Sequence, residues 1–304
     1  MTVTVLVPDD YGLAAVSRLE GVRGLRFRLG EALPAGAEEA QVLVPGFLVG
    51  PEAVHMTWEL PKLRLVQLLT AGAEAWVGKV PEGVLLSIAR GAHGASTAEW
   101  AVTGLLTVYR EFVEFAQAQR EHRWTQHQTD TLSGKRILIV GAGDLARELE
   151  RKLLAFDAGC VMVGTQAREG IRGVDELPSL LGDFDAVVMM VPVTAATTGM
   201  VDAEFLSRMA DGAILVNAAR GPVVRTDDLL AELQKGRLRA ILDVTDPEPL
   251  PAGHPLWDAP GVLITPHVGG SSRGSQQRGW AIATEQIRRY LSGAAPENLV
   301  HGEY

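Results

Sequence analysis

Apolar residues along the chain fall into short runs separated by stretches of helical spacing. Val3–Val7, Leu25–Leu29, Gln41–Val44, Leu65–Leu69 and Val84–Ile88 read as strands, with helices over Tyr11–Leu19 and Ala53–Leu60. Ser96-Thr97-Ala98-Glu99 has the spacing of a capping box. It predicts one long helix over Ala98–Arg120, with Trp100, Phe112 and Phe115 as core residues. Residues 121–133 break the pattern and predict a loop or arm containing His122, Trp124 and His127. Strands return at Ala186–Val191, Ala213–Val216, Ala240–Asp243 and Val262–Thr265, with helices at Val201–Met209, Thr226–Gln234 and Ser275–Leu291. Alternation of this kind predicts an α/β protein with parallel sheets, and the pattern places a domain boundary near residue 94.

The alternation is most marked at residues 134–164. Ile137–Val140 is an apolar run that breaks at Gly141-Ala142-Gly143. A helical stripe follows, carrying Leu145, Leu149, Leu153 and Leu154, and then the run Cys160–Val163. A strand, glycine turn, helix and strand in this order lay a dinucleotide pyrophosphate on a helix N-terminus. Gly141 serves the tight turn, Gly143 the approach of backbone to phosphate, and Ala146 the close helix–strand packing.

Ligands of open parallel sheets sit at the carboxyl ends of the strands. Three such ends carry Arg220, Glu248 and His267 in succession. A guanidinium fork suits a carboxylate. An imidazole can deliver a proton near neutral pH, and a carboxylate behind it fixes its tautomer and favours the charged form.

Composition narrows the setting. Of 304 residues, 47% are hydrophobic, enough for two cores. No apolar stretch reaches the roughly 18 residues that span a bilayer, and the N-terminus lacks the basic region of a signal peptide. A net charge of −9 without a basic cluster argues against nucleic acid and anionic membranes as partners. One cysteine, Cys160, excludes an internal disulfide and fits a reducing cytoplasm. The histidines show no metal-ligand spacing, so no metal is expected.

Several segments together resemble the D-isomer-specific 2-hydroxyacid dehydrogenases. They are Gly141–Ala146, Val191-Pro192-Val193-Thr194, Asn217–Gly221, Asp243–Pro251 and Thr265–Gly270. The resemblance implies two Rossmann-like/flavodoxin-like domains with parallel sheets and an interdomain cleft. Residues 1–94 and 270–304 would form the substrate domain, and 95–269 the dinucleotide-binding domain. Arg220, Glu248 and His267 would be the catalytic set, acting on a small 2-oxo or D-2-hydroxy acid. Ala71 and Gly72 would hold the substrate carboxylate with their amides, and His93 borders the expected cleft. Cofactor contacts would come from Gly141, Gly143, Asp144, Leu145, Val191, Pro192, Ala218, Ala219, Asp243 and Gly269, with Asp243 on the nicotinamide carboxamide. Members are usually homodimers joined through the cofactor domains, which suits the long helix and the arm.

The chain departs from the pattern of NAD-preferring members after the second strand of the nucleotide fold. No acid occurs between Cys160 and Arg168, where a carboxylate would bond the ribose and repel a 2′-phosphate. Thr165, Gln166 and Arg168 could contact that phosphate, so NADP is favoured over NAD. Two rival readings remain. Gly270-Ser271-Ser272-Arg273-Gly274 matches a hydrolase nucleophile elbow, but His301 is the only later histidine. A cofactor-sensing protein of the corepressor type would keep the same residues with negligible turnover.

Overall fold

The computed structural model describes residues 2–47, 49–50 and 52–300. The chain divides into two compact units, Met1–His93 with Arg273–Tyr304, and Gly94–Ser272. In the first, β1 (Val3–Val7), β2 (Val22–Arg26), β3 (Ala40–Leu43), β4 (Leu65–Gln67) and β5 (Leu85–Ser87) form a parallel sheet of order β2-β1-β3-β4-β5. Helices α1 (Asp10–Val16) and α2 (Glu52–His55) lie between strands. Asp9 caps α1 by accepting from the Gly12 amide. One face of the sheet is closed by the last helix of the chain, α9 (Ser275–Leu291), whose Trp280, Ala283 and Ile287 are buried with Val5, Val7 and Leu69. Beyond α9 the Val300 amide donates to the Leu86 carbonyl, adding the tail to the β5 edge.

The second unit holds β6 (Arg136–Val140), β7 (Gly159–Gly164), β8 (Ile171–Gly173), β9 (Ala186–Met189), β10 (Ile214–Asn217), β11 (Arg239–Leu242) and β12 (Val262–Ile264). All are parallel, in the order β12-β11-β10-β9-β6-β7-β8. The order reverses between β6 and β9, the switch point where a doubly wound sheet opens a crevice. Helices α3 (Gly94–Tyr109), α4 (Phe112–Arg120), α5 (Asp144–Leu154), α6 (Leu177–Leu180), α7 (Ala203–Arg208) and α8 (Thr226–Gln234) flank it. Two apolar layers, one on Leu138, Val187 and Leu215 and one on Ile137, Val188 and Val216, show the sheet buried on both faces.

Several local expectations need correcting. The long helix is two, because Glu111 takes a left-handed φ of 52° between α3 and α4. Its carboxylate receives a hydrogen bond from His127 Nε2 at 2.6 Å, tying the break to the arm. Helix α3 starts at Gly94, so Ser96 and Glu99 lie inside its first turns and not at a cap. A side chain at 94 would press on Asp144 and Leu145, so a close approach of α3 to α5 sets that start. Phe112 is exposed, Phe115 is half-buried against the His127 ring, and Leu154 is exposed. Cys160 is half-buried, and burial pushes its thiol up to about 11. β8 and α6 are too short and too mixed in composition for their periodicity to mark them.

Candidate active site

Arg220 follows β10, Glu248 follows β11 and His267 follows β12, three neighbouring strands whose carboxyl ends share one rim. His267 Nδ1 lies 2.6 Å from Glu248 Oε1, and the two side chains are 35% and 40% exposed. An ionised carboxylate only accepts, so Nδ1 carries the hydrogen of this bond and Nε2 is the atom left to face a substrate. Arg220 is half-buried, and one of its Nη atoms donates to the Ala219 carbonyl at 2.7 Å. Its backbone is held by Asn217, whose side-chain amide donates to the Arg220 carbonyl at 3.0 Å. Gly221 is obligatory beside it, because a Cβ there would stand 1.9 Å from the Thr245 carbonyl oxygen.

The dinucleotide turn lies at the switch point. Gly141 has φ 129°, and a Cβ on it would meet the Met190 carbonyl oxygen at 2.3 Å, one residue before Val191 and Pro192. Gly143 begins α5 and differs: nothing lies within 4 Å of the place a Cβ would take. Packing does not require that glycine, whereas a pyrophosphate resting on the α5 N-terminus would. Asp144 and Leu145 form the first turn of α5. The residues present therefore fit a dinucleotide. Beyond β7, Thr165, Gln166 and Arg168 are exposed, and an Arg168 Nη lies 3.2 Å from the Cβ position of Gly164. Ala218 and Ala219 are buried at the end of β10, the latter donating its amide to Asn217 Oδ1. Asp243 is buried and occupied by the turn that carries His267: it accepts from the Val268 and Gly269 amides, each at 2.8 Å, and from the Thr265 hydroxyl. Sequence reasoning took Trp100 as a core residue and Thr265 only as part of a motif, and did not foresee that the Trp100 indole N–H donates to the Thr265 hydroxyl across the unit.

Ala71, Gly72 and His93 belong to the first unit. Ala71 and Gly72 are half-buried in the loop after β4. His93 is buried, with Nε2 2.9 Å from the Leu69 carbonyl oxygen and its ring 5.4 Å from that of Phe47. Trp76 and Trp280 are core residues, while Trp124 is 93% exposed. His254 caps a turn by accepting from the Leu256 amide. Ser272 is exposed after the His267 turn, and His301 lies outside the described residues. Among the described residues no helix is long and apolar enough to cross a membrane, and no group of three His, Cys, Asp or Glu could hold a metal. A cavity of about 550 Å³ opens at the amino end of the second sheet, lined by Tyr109, Lys135, Asp185 and Arg239 among others. It contains none of the residues just described.

Residues 102–269 match the model of the D-isomer specific 2-hydroxyacid dehydrogenase NAD-binding domain. Glyoxylate/hydroxypyruvate reductase A of Serratia proteamaculans is 33% identical over 224 residues, 68% of this chain and 71% of that protein. The enzyme of the same name from Salmonella typhimurium is 31% identical over 244 residues, 73% of this chain and 78% of that one. Among solved structures, a D-isomer specific 2-hydroxyacid dehydrogenase from Xanthobacter autotrophicus Py2, in complex with NADPH and MES, superposes with a TM-score of 0.85 at 28% identity, covering 99% of this chain and 98% of that chain. The chain belongs to the D-isomer specific 2-hydroxyacid dehydrogenases, NAD(P)-dependent oxidoreductases whose nucleotide-binding domain falls within its second unit.

Proposed function

We propose that the protein is a cytoplasmic, NADPH-preferring reductase of small 2-oxo acids, of the glyoxylate or hydroxypyruvate type, working as a homodimer. The observation that carries the reading is the His267–Glu248 pair, joining the ends of β12 and β11, with Arg220 at the end of the neighbouring β10. Arg220 binds the substrate carboxylate through its fork and draws density from the neighbouring carbonyl. From the first unit, the residues that would bind the substrate are Ala71 and Gly72, through their backbone amides, and His93. His267, protonated on both nitrogens, gives its Nε2 proton to the carbonyl oxygen as the C–O double bond is reduced. Glu248 keeps the ring oriented while that proton leaves. NADPH, when bound on the α5 N-terminus, supplies the hydride that C2 receives.

The preference for NADP rests on residues 165–168 directly after β7, which include no acid and present Arg168 beside Gly164. The relative from Xanthobacter autotrophicus holds NADPH. The homodimer rests on the exposed apolar residues Phe112, Val113 and Trp124 of α4 and the arm. A single cysteine, which can form no internal disulfide, suits a reducing compartment.

The test is a panel of 2-oxo acids assayed with NADH and NADPH, on wild type and His267→Ala. We expect turnover of a small 2-oxo acid, faster with NADPH, and a loss of about 10²–10⁴ in kcat for His267→Ala with cofactor affinity nearly unchanged. Tight NADPH binding without turnover of any member would make the chain a cofactor-sensing protein instead.

A further inference from the structure

We propose that Trp100 is a positioning residue for His267, acting through Thr265 and Asp243. The inference rests on the role given above to His267. Trp100 stands in the second turn of α3, 165 residues before Thr265 in the chain, and its indole Nε1 lies 2.9 Å from the Thr265 hydroxyl. An indole N–H can only donate, so the hydroxyl accepts from it and must spend its own hydrogen elsewhere. The acceptor is Asp243 Oδ1, at 2.6 Å. The direction of the relay is therefore set by Trp100.

Asp243 is 5% exposed and grips the turn on both sides of His267. Its backbone carbonyl accepts from the His267 amide at 2.7 Å. Its carboxylate accepts from the Val268 amide at Oδ1 and the Gly269 amide at Oδ2. His267 itself has φ 54°, a left-handed backbone that a residue with a side chain keeps only where its surroundings over-determine it. The indole also forms part of the bed: a Cβ on Gly269 would stand 2.9 Å from Asp243 Oδ2 and 3.4 Å from Trp100 Cγ. Without the Thr265 bond, Asp243 could turn away from the two amides, and the imidazole would lose the orientation that brings Nδ1 to Glu248. The arrangement also leaves Oδ2, with one bond, as the oxygen able to accept from a nicotinamide carboxamide, since Oδ1 already takes two.

The experiment compares Thr265→Val, Thr265→Ser and Trp100→Phe with wild type. Steady-state kinetics and the low-field Nδ1–H proton resonance of His267 in cofactor-free protein are measured for each. Thr265→Val keeps the shape and loses the hydroxyl, and Trp100→Phe keeps an aromatic ring and loses the donor. Expected are a fall of about tenfold or more in kcat for Thr265→Val, several-fold for Trp100→Phe, KM within about twofold, and a His267 resonance lost or exchange-broadened in both. Thr265→Ser restores rate and resonance. The proposal is overturned if either deletion keeps wild-type kcat and a sharp resonance, if the change is confined to KM, or if Thr265→Ser is as poor as Thr265→Val. Should Thr265→Val fail to fold, Trp100→Phe decides alone. A wild type that turns over no 2-oxo acid ends the functional reading, and the resonance then judges the relay by itself.

Discussion

Gly141 and Gly143 stand two residues apart and are needed for different reasons. The first is pinned by protein: φ 129° and a carbonyl oxygen 2.3 Å from any Cβ. The second has φ −86°, an ordinary value, and open space where a Cβ would go. Gly141→Ala should therefore destabilise the fold by about 3 kcal/mol, as overpacking against backbone does. Gly143→Ala should leave stability unchanged or slightly raised, because the unfolded chain loses freedom. The same variant should weaken NADPH binding by about tenfold or more, since its methyl intrudes on the phosphate cradle. Thermal denaturation beside a fluorescence titration with NADPH reads both. A Gly143→Ala protein that unfolds early, or binds NADPH as wild type does, would break the distinction. Both glycines were legible in the sequence because their spacing belongs to a backbone shape. The pairing of Thr265 with Trp100 was not, because a bond between residues 165 apart leaves no local pattern.

Elements show the same division. Thr226–Gln234 and Ser275–Leu291 fold as helices between the limits their apolar spacing marks. The run from 98 to 120 does not: it breaks at the left-handed Glu111, whose carboxylate is bonded to His127 sixteen residues on. Strands on the buried rows of the second sheet are legible through their apolar runs; β8, with Arg172 between Ile171 and Gly173, is not. The interruption at Glu111 carries a pH dependence. Hydrogen bonding to the Glu111 carboxylate raises the His127 pKa above its ordinary 6.5. A folded-state pKa above the unfolded one means the tie is complete below the unfolded value and is lost as pH climbs through the raised one. Amide-exchange protection in α4 and in residues 121–133 should thus be greater at about pH 5.5 than at about pH 8.5. His127→Gln should flatten the difference. Equal protection at both pH values in wild type would show that the tie holds nothing.

At the scale of the molecule, an exposed aromatic arm asks for a partner. Phe112 is 59%, Val113 51% and Trp124 93% exposed, and the arm is fastened to α4 through Phe115, Glu111 and His127. We expect light scattering to report twice the chain mass for wild type and a monomer for Phe112→Glu combined with Trp124→Ser, with the second unit still folded by circular dichroism. A monomeric wild type at micromolar concentration would remove the homodimer from the reading. The first unit, finally, is assembled from both ends of the chain, whereas the second is continuous. During synthesis the Gly94–Ser272 stretch can finish its core on leaving the ribosome. The sheet begun earlier must wait, with Val5, Val7 and Leu69 uncovered, until Trp280, Ala283 and Ile287 emerge. The half made first is thus the half completed last, and chaperones would find their hydrophobic target on it during that interval.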